Sequence, residues 1–187
     1  MVGTHRFASM AFALALVSLG SAAAQEPDAD VAQKRAEIDT KAQQILEKLF
    51  AEREGARELY DKSQGYAVFA ATKAGFLVTG GGGTGVAVDK GSGSRTYMRM
   101  GTGGVGLGIG AQRYELVILF ESEPYLSRFI EGGWNASTSA QAAAGKDGVT
   151  LTSSFVDGVA LFQLTDRGLM AQADVSGTRF WVVDDLN

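Results

Sequence analysis

Residues Tyr97 to Phe120 read Tyr-Met-Arg-Met-Gly-Thr-Gly-Gly-Val-Gly-Leu-Gly-Ile-Gly-Ala-Gln-Arg-Tyr-Glu-Leu-Val-Ile-Leu-Phe, with glycine at every second position from Gly104 to Gly110. Alternate residues of a strand point to opposite faces. Gly104, Gly106, Gly108 and Gly110 therefore leave one face bare, and Val105, Leu107 and Ile109 load the other. Glycine weakens a strand, so its repetition marks close approach of another backbone, a sharp bend or a bound ligand.

Outward from this run the periodicity changes twice. Between Asp30 and Ser63, Ile38, Ala42, Ile45, Leu46, Leu49 and Phe50 fall on one helical face, with charged residues opposite. Gly55 divides that segment into two helices, the second running from Ala56 to Ser63 and ending before Gly65. Beyond Gly65, short apolar runs punctuated by glycine predict antiparallel strands joined by tight turns. They lie near 66–71, 75–80, 85–89, 95–100, 105–111, 114–120, 135–143, 159–164, 169–175 and 180–183. Ser122-Glu-Pro124 predicts a helix start, with Ser122 as cap and proline in the first turn, leading to Tyr125, Leu126, Phe129 and Ile130. The expected architecture is α+β: N-terminal helices packed on a curved, glycine-rich antiparallel sheet, barrel- or sandwich-like, with one inserted short helix. Residues 1–24 read as a signal peptide, and 25–64 as a helical segment that forms one domain with a β-rich core over 65–187.

The leader has His5 and Arg6, an apolar stretch from Phe7 to Leu19, and Ser21-Ala-Ala-Ala24 before Gln25. That stretch falls short of the ~20 residues a spanning helix needs and ends in small residues, so cleavage near Ala24 is expected, with a periplasmic or secreted product. The chain contains no cysteine, which removes disulfides, thiolate metal sites, a cysteine nucleophile and a lipidated N-terminal cysteine. Its one histidine, His5, leaves with the leader, so the mature domain has no imidazole for a metal, a triad or acid–base work near neutral pH. No metal or cofactor is expected. Without Arg6 there remain 16 basic against 21 acidic residues, a net charge near −5, which argues against nucleic acid and against general attraction to anionic membranes. Acids also outnumber bases between Glu26 and Lys62, unlike the lysine- and arginine-rich polar face of a membrane-surface helix.

Three glycine signals bear on chemistry. Gly101-Thr-Gly-Gly-Val-Gly106 has dinucleotide-fingerprint spacing, but Leu-Gly-Ile-Gly follows where a helix must begin, so it argues against a nucleotide site. Gly145-Lys146 is followed by Asp147, not by the hydroxyl residue of a phosphate-cradling loop. Gly80 to Gly83 reads as a hairpin turn between Phe76-Leu-Val and Val86-Ala-Val, with an anion-binding nest of N–H groups as the other reading.

Charge provides the site candidate. Lys90, Arg95, Arg99 and Arg113 occur between Lys90 and Tyr114 without an intervening acid. Arg95, Tyr97 and Arg99 share a strand face opposite Thr96, Met98 and Met100. Arginine's planar fork suits phosphate, and tyrosine covers apolar atoms while its hydroxyl stays wet. Basic residues that blunt a sheet edge produce the same pattern. No two carboxylates form a recognisable acid–base pair by spacing, although a hydrolase built on acids such as Glu115, Glu121, Glu123, Asp157, Asp166 and Asp174 remains an alternative.

The sequence resembles the SYLF domain family. The phrases that carry the resemblance are Gln64-Gly-Tyr-Ala-Val-Phe, the run from Ala74 to Val88, Gly103-Gly-Val-Gly-Leu-Gly-Ile-Gly-Ala-Gln, Glu115-Leu-Val-Ile-Leu and Arg167-Gly-Leu-Met-Ala, in the family's order from about Lys41 to Asp184. The resemblance implies a non-enzymatic, lipid-binding domain. Phospholipid or a similar amphiphile is the expected ligand, and peripheral membrane contact is compatible with it; the local charge pattern, not the resemblance, nominates Lys90, Arg95, Tyr97, Arg99 and Arg113 as head-group residues. A cell-envelope interaction or structural module without a lipid is the alternative from another class.

Overall fold

The computed structural model describes residues 27–132, 154–165, 168–169 and 177–187, with the backbone alone described at 27, 75–79, 104–112 and 168–169. Helix α1 spans Pro27–Glu52 and buries Ala42, Ile45, Leu46 and Leu49, the stripe expected of a helix lying on a sheet. Asp28 and Asp30 occupy its first turn, where carboxylates meet the positive end of the helix dipole. The chain breaks at Gly55, whose φ of 84° is left-handed and strains any residue with a Cβ. Helix α2, Ala56–Lys62, follows and buries Ala56 and Leu59.

Two strands replace the six short ones expected between Tyr66 and Phe120. Strand β1 spans Gly65–Asp89, β2 spans Arg95–Phe120, and they pair antiparallel along almost their full lengths. Gly80 to Gly83 do not turn; they pair with Gly103, Thr102, Gly101 and Met100 inside the ladder. The turn lies just after Asp89 instead. Asp89 Oδ1 accepts the N–H groups of Gly91 and Ser92 at 2.8 and 3.3 Å, and Oδ2 accepts the Ser92 hydroxyl at 2.8 Å. A side chain that bonds its own backbone nucleates a turn, and a run of bare glycines has none. Those bonds, the Ser92 hydroxyl first, hold the Asp89 carboxyl below its ordinary range.

The hairpin bends at one place. Gly75 pairs with Gly110 but Leu77 pairs with Gly106, so Phe76 faces Leu107, Gly108 and Ile109. The additional residues on β2 form a bulge, which kinks a strand pair and increases its twist. Past the bend, β1 returns against itself: Gly85, Gly83 and Gly81 meet the carbonyl oxygens of Val68, Ala70 and Thr72, where any Cβ would overlap. Hydrogens on those glycine Cα atoms occupy the space and supply weak C–H···O contacts. The demonstrated bare face is therefore on β1. At Gly104, Gly106, Gly108 and Gly110 the side-chain surroundings lie outside the described residues.

Strand β3, Val159–Thr165, pairs with the C-terminal part of β2, and β5, Thr178–Val182, pairs with its N-terminal part. The two-residue β4, Gly168–Leu169, adds to β3, and the sheet does not close. The strand expected at 135–143 and most of that at 169–175 lie outside the described residues. Both faces of the sheet are apolar. Phe69, Met98, Leu116, Ile118 and Phe120 line one, beneath helix α3, Glu123–Ile130. Val68, Val86, Tyr97, Val117 and Leu119 line the other, beneath α1. Burial on both sides explains why Leu116 to Phe120 is continuously hydrophobic rather than alternating. Ser122 caps α3 with its carbonyl, which accepts the Tyr125 and Leu126 N–H groups; its side chain makes no cap bond. Phe129 of α3 meets the rings of Phe69, Phe120 and Phe180 at 6.2, 5.1 and 5.0 Å.

Candidate functional site

The apolar stripe of α1 fixes which of its polar residues look along the sheet. Lys41 and Lys48, seven residues apart, leave the same flank of the helix and converge on Glu115 of β2. Lys41 Nζ lies 3.1 Å from Oε1, and Lys48 Nζ lies 3.0 Å from Oε2. The Glu115 side chain is only 18% exposed. Burial alone would raise its pKa, but the hydrogen bonds from Lys48 and Lys41 outweigh that effect and hold it below the ordinary value.

Beside this triad lies a cavity of about 430 Å³. Lys41, Thr72, Arg113, Glu115 and Thr165 line it, over a floor that includes Ala70, Ala71 and Leu164. Arg113 is exposed, two residues from Glu115 on the same strand face. Lys41 and Lys48 hold the carboxylate and Arg113 lines the same cavity, a local excess of positive charge in a chain whose formal net charge is −4. Lys48 is half-buried, so solvent screens its charge less than those of the exposed Lys41 and Arg113.

The five residues expected to hold a head group are distributed over four places. Lys90 reaches the C-terminal end of α2, donating to the carbonyls of Tyr60 at 2.6 Å and Ser63 at 2.9 Å, with its ammonium 4.5 Å from the Tyr60 ring centre. Burial pushes the Lys90 pKa down, and nearby Asp61 acts the other way. Arg95 and Tyr97 both turn to Asp39 of α1: Arg95 Nη1 lies 2.8 Å from Oδ1, and the Tyr97 hydroxyl donates to Oδ2 at 3.1 Å. Arg99 is exposed between Thr84 of β1 and Trp181 of β5. Arg113 alone of the five lines the cationic cavity.

Reading the sequence missed Lys41 and Lys48. Their spacing on one helix flank was visible, as was Glu115 immediately after the acid-free stretch, but nothing local joins a helix to a strand about 70 residues away. Trp181, which the sequence suggests as core or rim packing, is 46% exposed, and its ring lies over Gly101. A Cβ at Gly101 would stand 3.1 Å from that ring.

The carboxylates do not assemble an acid–base pair around the cavity. Glu115 is bound by two lysines, and Asp39 lies on the other flank of α1. Among the described residues, no group of three or more His, Cys, Asp or Glu side chains could hold a metal ion, and no helix is long and apolar enough to cross a membrane.

The family described as "Ysc84: Las17-binding protein actin regulator" matches residues 101–187. Beta cell expansion factor A of Aeromonas veronii is 38% identical over 152 residues, 81% of this chain and 58% of that protein. The chain belongs to the SYLF family. The SYLF match begins within β2 and includes Arg113, Glu115 and Trp181, whereas Lys41 and Lys48 come from the helix before it. This SYLF chain spans 58% of the length of its Aeromonas relative, which is named as a factor and not as an enzyme.

Proposed function

We propose that this SYLF protein is an exported, non-catalytic lipid-binding domain that takes a phospholipid or similar amphiphile. The observation that carries the reading is the cavity beside α1, lined by Lys41 and Arg113 against the single carboxylate Glu115, which Lys48 also pairs from outside the lining. An anionic head sits beside Arg113 and Lys41, with Thr72 and Thr165 along the wall and an alanine and leucine floor beneath. Arg113's guanidinium gives paired hydrogen bonds to a phosphate, and Lys41 contributes a mobile point charge.

Arg99 adds an outer contact. It neighbours the exposed Trp181, an aromatic ring with an apolar body and a polar N–H suited to a membrane–water interface. Lys90, Arg95 and Tyr97 join the head-group set only by giving up their contacts to α2 and Asp39. Cleavage near Ala24 places the mature chain in the periplasm or outside the cell. Catalysis is not part of this reading, since Glu115 is held as the partner of two lysines.

The test is native mass spectrometry of the protein purified from its own cell envelope, followed by extraction and identification of whatever is released. A stoichiometric lipid that is lost in Arg113→Glu supports the reading. An empty, folded protein that also ignores anionic and neutral vesicles overturns it in favour of an envelope interaction module.

A further inference from the structure

The other flank of α1 has a cavity of about 420 Å³, within the ~300–1,000 Å³ range of small-molecule sites. Asp39, Gln43 and Glu47 line it from the helix, and Tyr66 and Arg95 from the strands, with Val86 buried below. It shares no lining residue with the cationic cavity.

These side chains fix one another. Arg95 stands 2.8 Å from Asp39 Oδ1, close enough for an ion pair but off the hydrogen-bond axis, so that buried oxygen has charge compensation and no aligned donor. Gln43 Nε2 donates to Glu47 Oε1 at 3.0 Å, leaving its own carbonyl and second N–H uncommitted. Tyr66 is half-buried beside Tyr60, ring centres 5.3 Å apart. Burial first, then Tyr60, pushes its phenol up to about 12, so it remains a protonated donor throughout the physiological range.

Pairing decides the class of ligand. An anion entering here meets Asp39 and Glu47, and a cation meets Arg95. Asp39 and Arg95 neutralise each other and retain hydrogen-bonding capacity rather than charge, while Glu47, exposed and accepting from Gln43, keeps a solvated charge. Adjacent hydroxyls, each able to donate and accept, match a carboxylate, a carboxamide, a guanidinium and a phenol that line one groove. The half-buried Tyr66 ring provides apolar surface for a face of C–H groups.

We infer that the groove formed by Asp39, Gln43, Glu47, Tyr66 and Arg95 binds a neutral polyhydroxylated ligand, a mono- or disaccharide unit. This site is separate from the lipid site and does not depend on it.

The experiment is an NMR titration of the isotope-labelled protein with glucose, N-acetylglucosamine and maltose, with inorganic phosphate and choline as charged controls. At least one sugar is expected to give saturable amide shifts at Gln43, Glu47 and Tyr66. Gln43→Ala and Tyr66→Phe should each weaken it about tenfold. Gln43 is exposed, so its replacement leaves the fold intact, and Tyr66→Phe removes one hydroxyl while keeping the ring. Arg113→Glu should leave sugar binding unchanged while reducing binding to anionic vesicles. Shifts that fail to saturate with every sugar, that survive both groove variants, or that appear only with phosphate or choline overturn the proposal.

Discussion

The two flanks of α1 rest on the same apolar stripe yet present different chemistry. One carries Lys41 and Lys48, which meet Glu115 and leave a cavity rich in positive charge. The other carries Asp39, which is neutralised by Arg95 and accepts the Tyr97 hydroxyl, leaving a cavity of mixed polar groups. An acidic protein can therefore concentrate positive charge in one cavity without a basic surface. Excess charge need exist only on one side of one helix, provided that packing prevents the helix from rolling.

The comparison is most completely broken by removing the sheet beneath both flanks. Gly83→Val places a branched side chain against the Ala70 carbonyl and the Ala71 backbone. Overpacking typically costs about 1–3 kcal/mol, and here the obstacle is backbone, so the expected outcome is an unfolded or aggregated product by circular dichroism. Gly80→Ala is the control. No atom lies within 4 Å of a Cβ there, and a near-normal melting temperature is expected.

Next in size is Leu49→Ala, at a fully buried position of the α1 stripe. A loss of about 2–5 kcal/mol in denaturant unfolding is expected, with anion and sugar binding weakened together because both flanks lose their anchor. Independent behaviour of the two sites in this variant would show that α1 does not couple them.

Acid should separate the flanks. Glu115's pKa is below its ordinary value of 4.5, so its contribution to stability is fully present above that value and disappears as pH falls through the lower folded value. Protonation releases Lys41 and Lys48 from their carboxylate. The mature protein should melt at lower temperature as pH drops below about 4.5. Glu115→Gln should flatten that part of the profile.

The smallest effects on stability come from single charges, and they sharpen the comparison most. Arg113→Glu should change unfolding by no more than about 0.5 kcal/mol but weaken binding to anionic vesicles at least tenfold. Arg95→Glu should do the reverse, costing about 1 kcal/mol by facing Asp39, with little change in vesicle binding. Arg99→Glu should reduce vesicle binding modestly, through the contact beside Trp181. Equal responses from Arg95 and Arg113 would return the head-group site to the strand face of Arg95, Tyr97 and Arg99.

Some of this organisation was readable from local pattern. The α1 stripe, the break at Gly55, the helix start near Ser122-Glu-Pro124 and the strand character from Gly65 to Phe120 each follow from periodicity or backbone chemistry within a few residues. The continuity of β1 and β2 was not readable, because Gly80 to Gly83 has the composition of a turn and only its partner strand reveals a ladder. Which glycines carry the close approach was equally hidden: Gly81, Gly83 and Gly85 are marked by carbonyls at Val68, Ala70 and Thr72, brought near by a bulge whose position depends on pairing. For the site, arginine at 113 was visible as a cation, but its companions come from α1.

By itself the sequence determined the α+β class, the family, the absence of thiol chemistry and of any imidazole beyond His5, and the local excess of basic residues between Lys90 and Tyr114. These are properties of composition and short-range period, set by side-chain chemistry and backbone geometry. The tertiary structure decided which of those cations remain available. Lys90 went to the end of α2, Arg95 went to Asp39, and Arg113 was joined by Lys41 and Lys48 across the helix–sheet contact. The physical reason is that a charge acts over a few ångströms in space, and packing α1 onto β2 sets those distances between residues far apart in the chain.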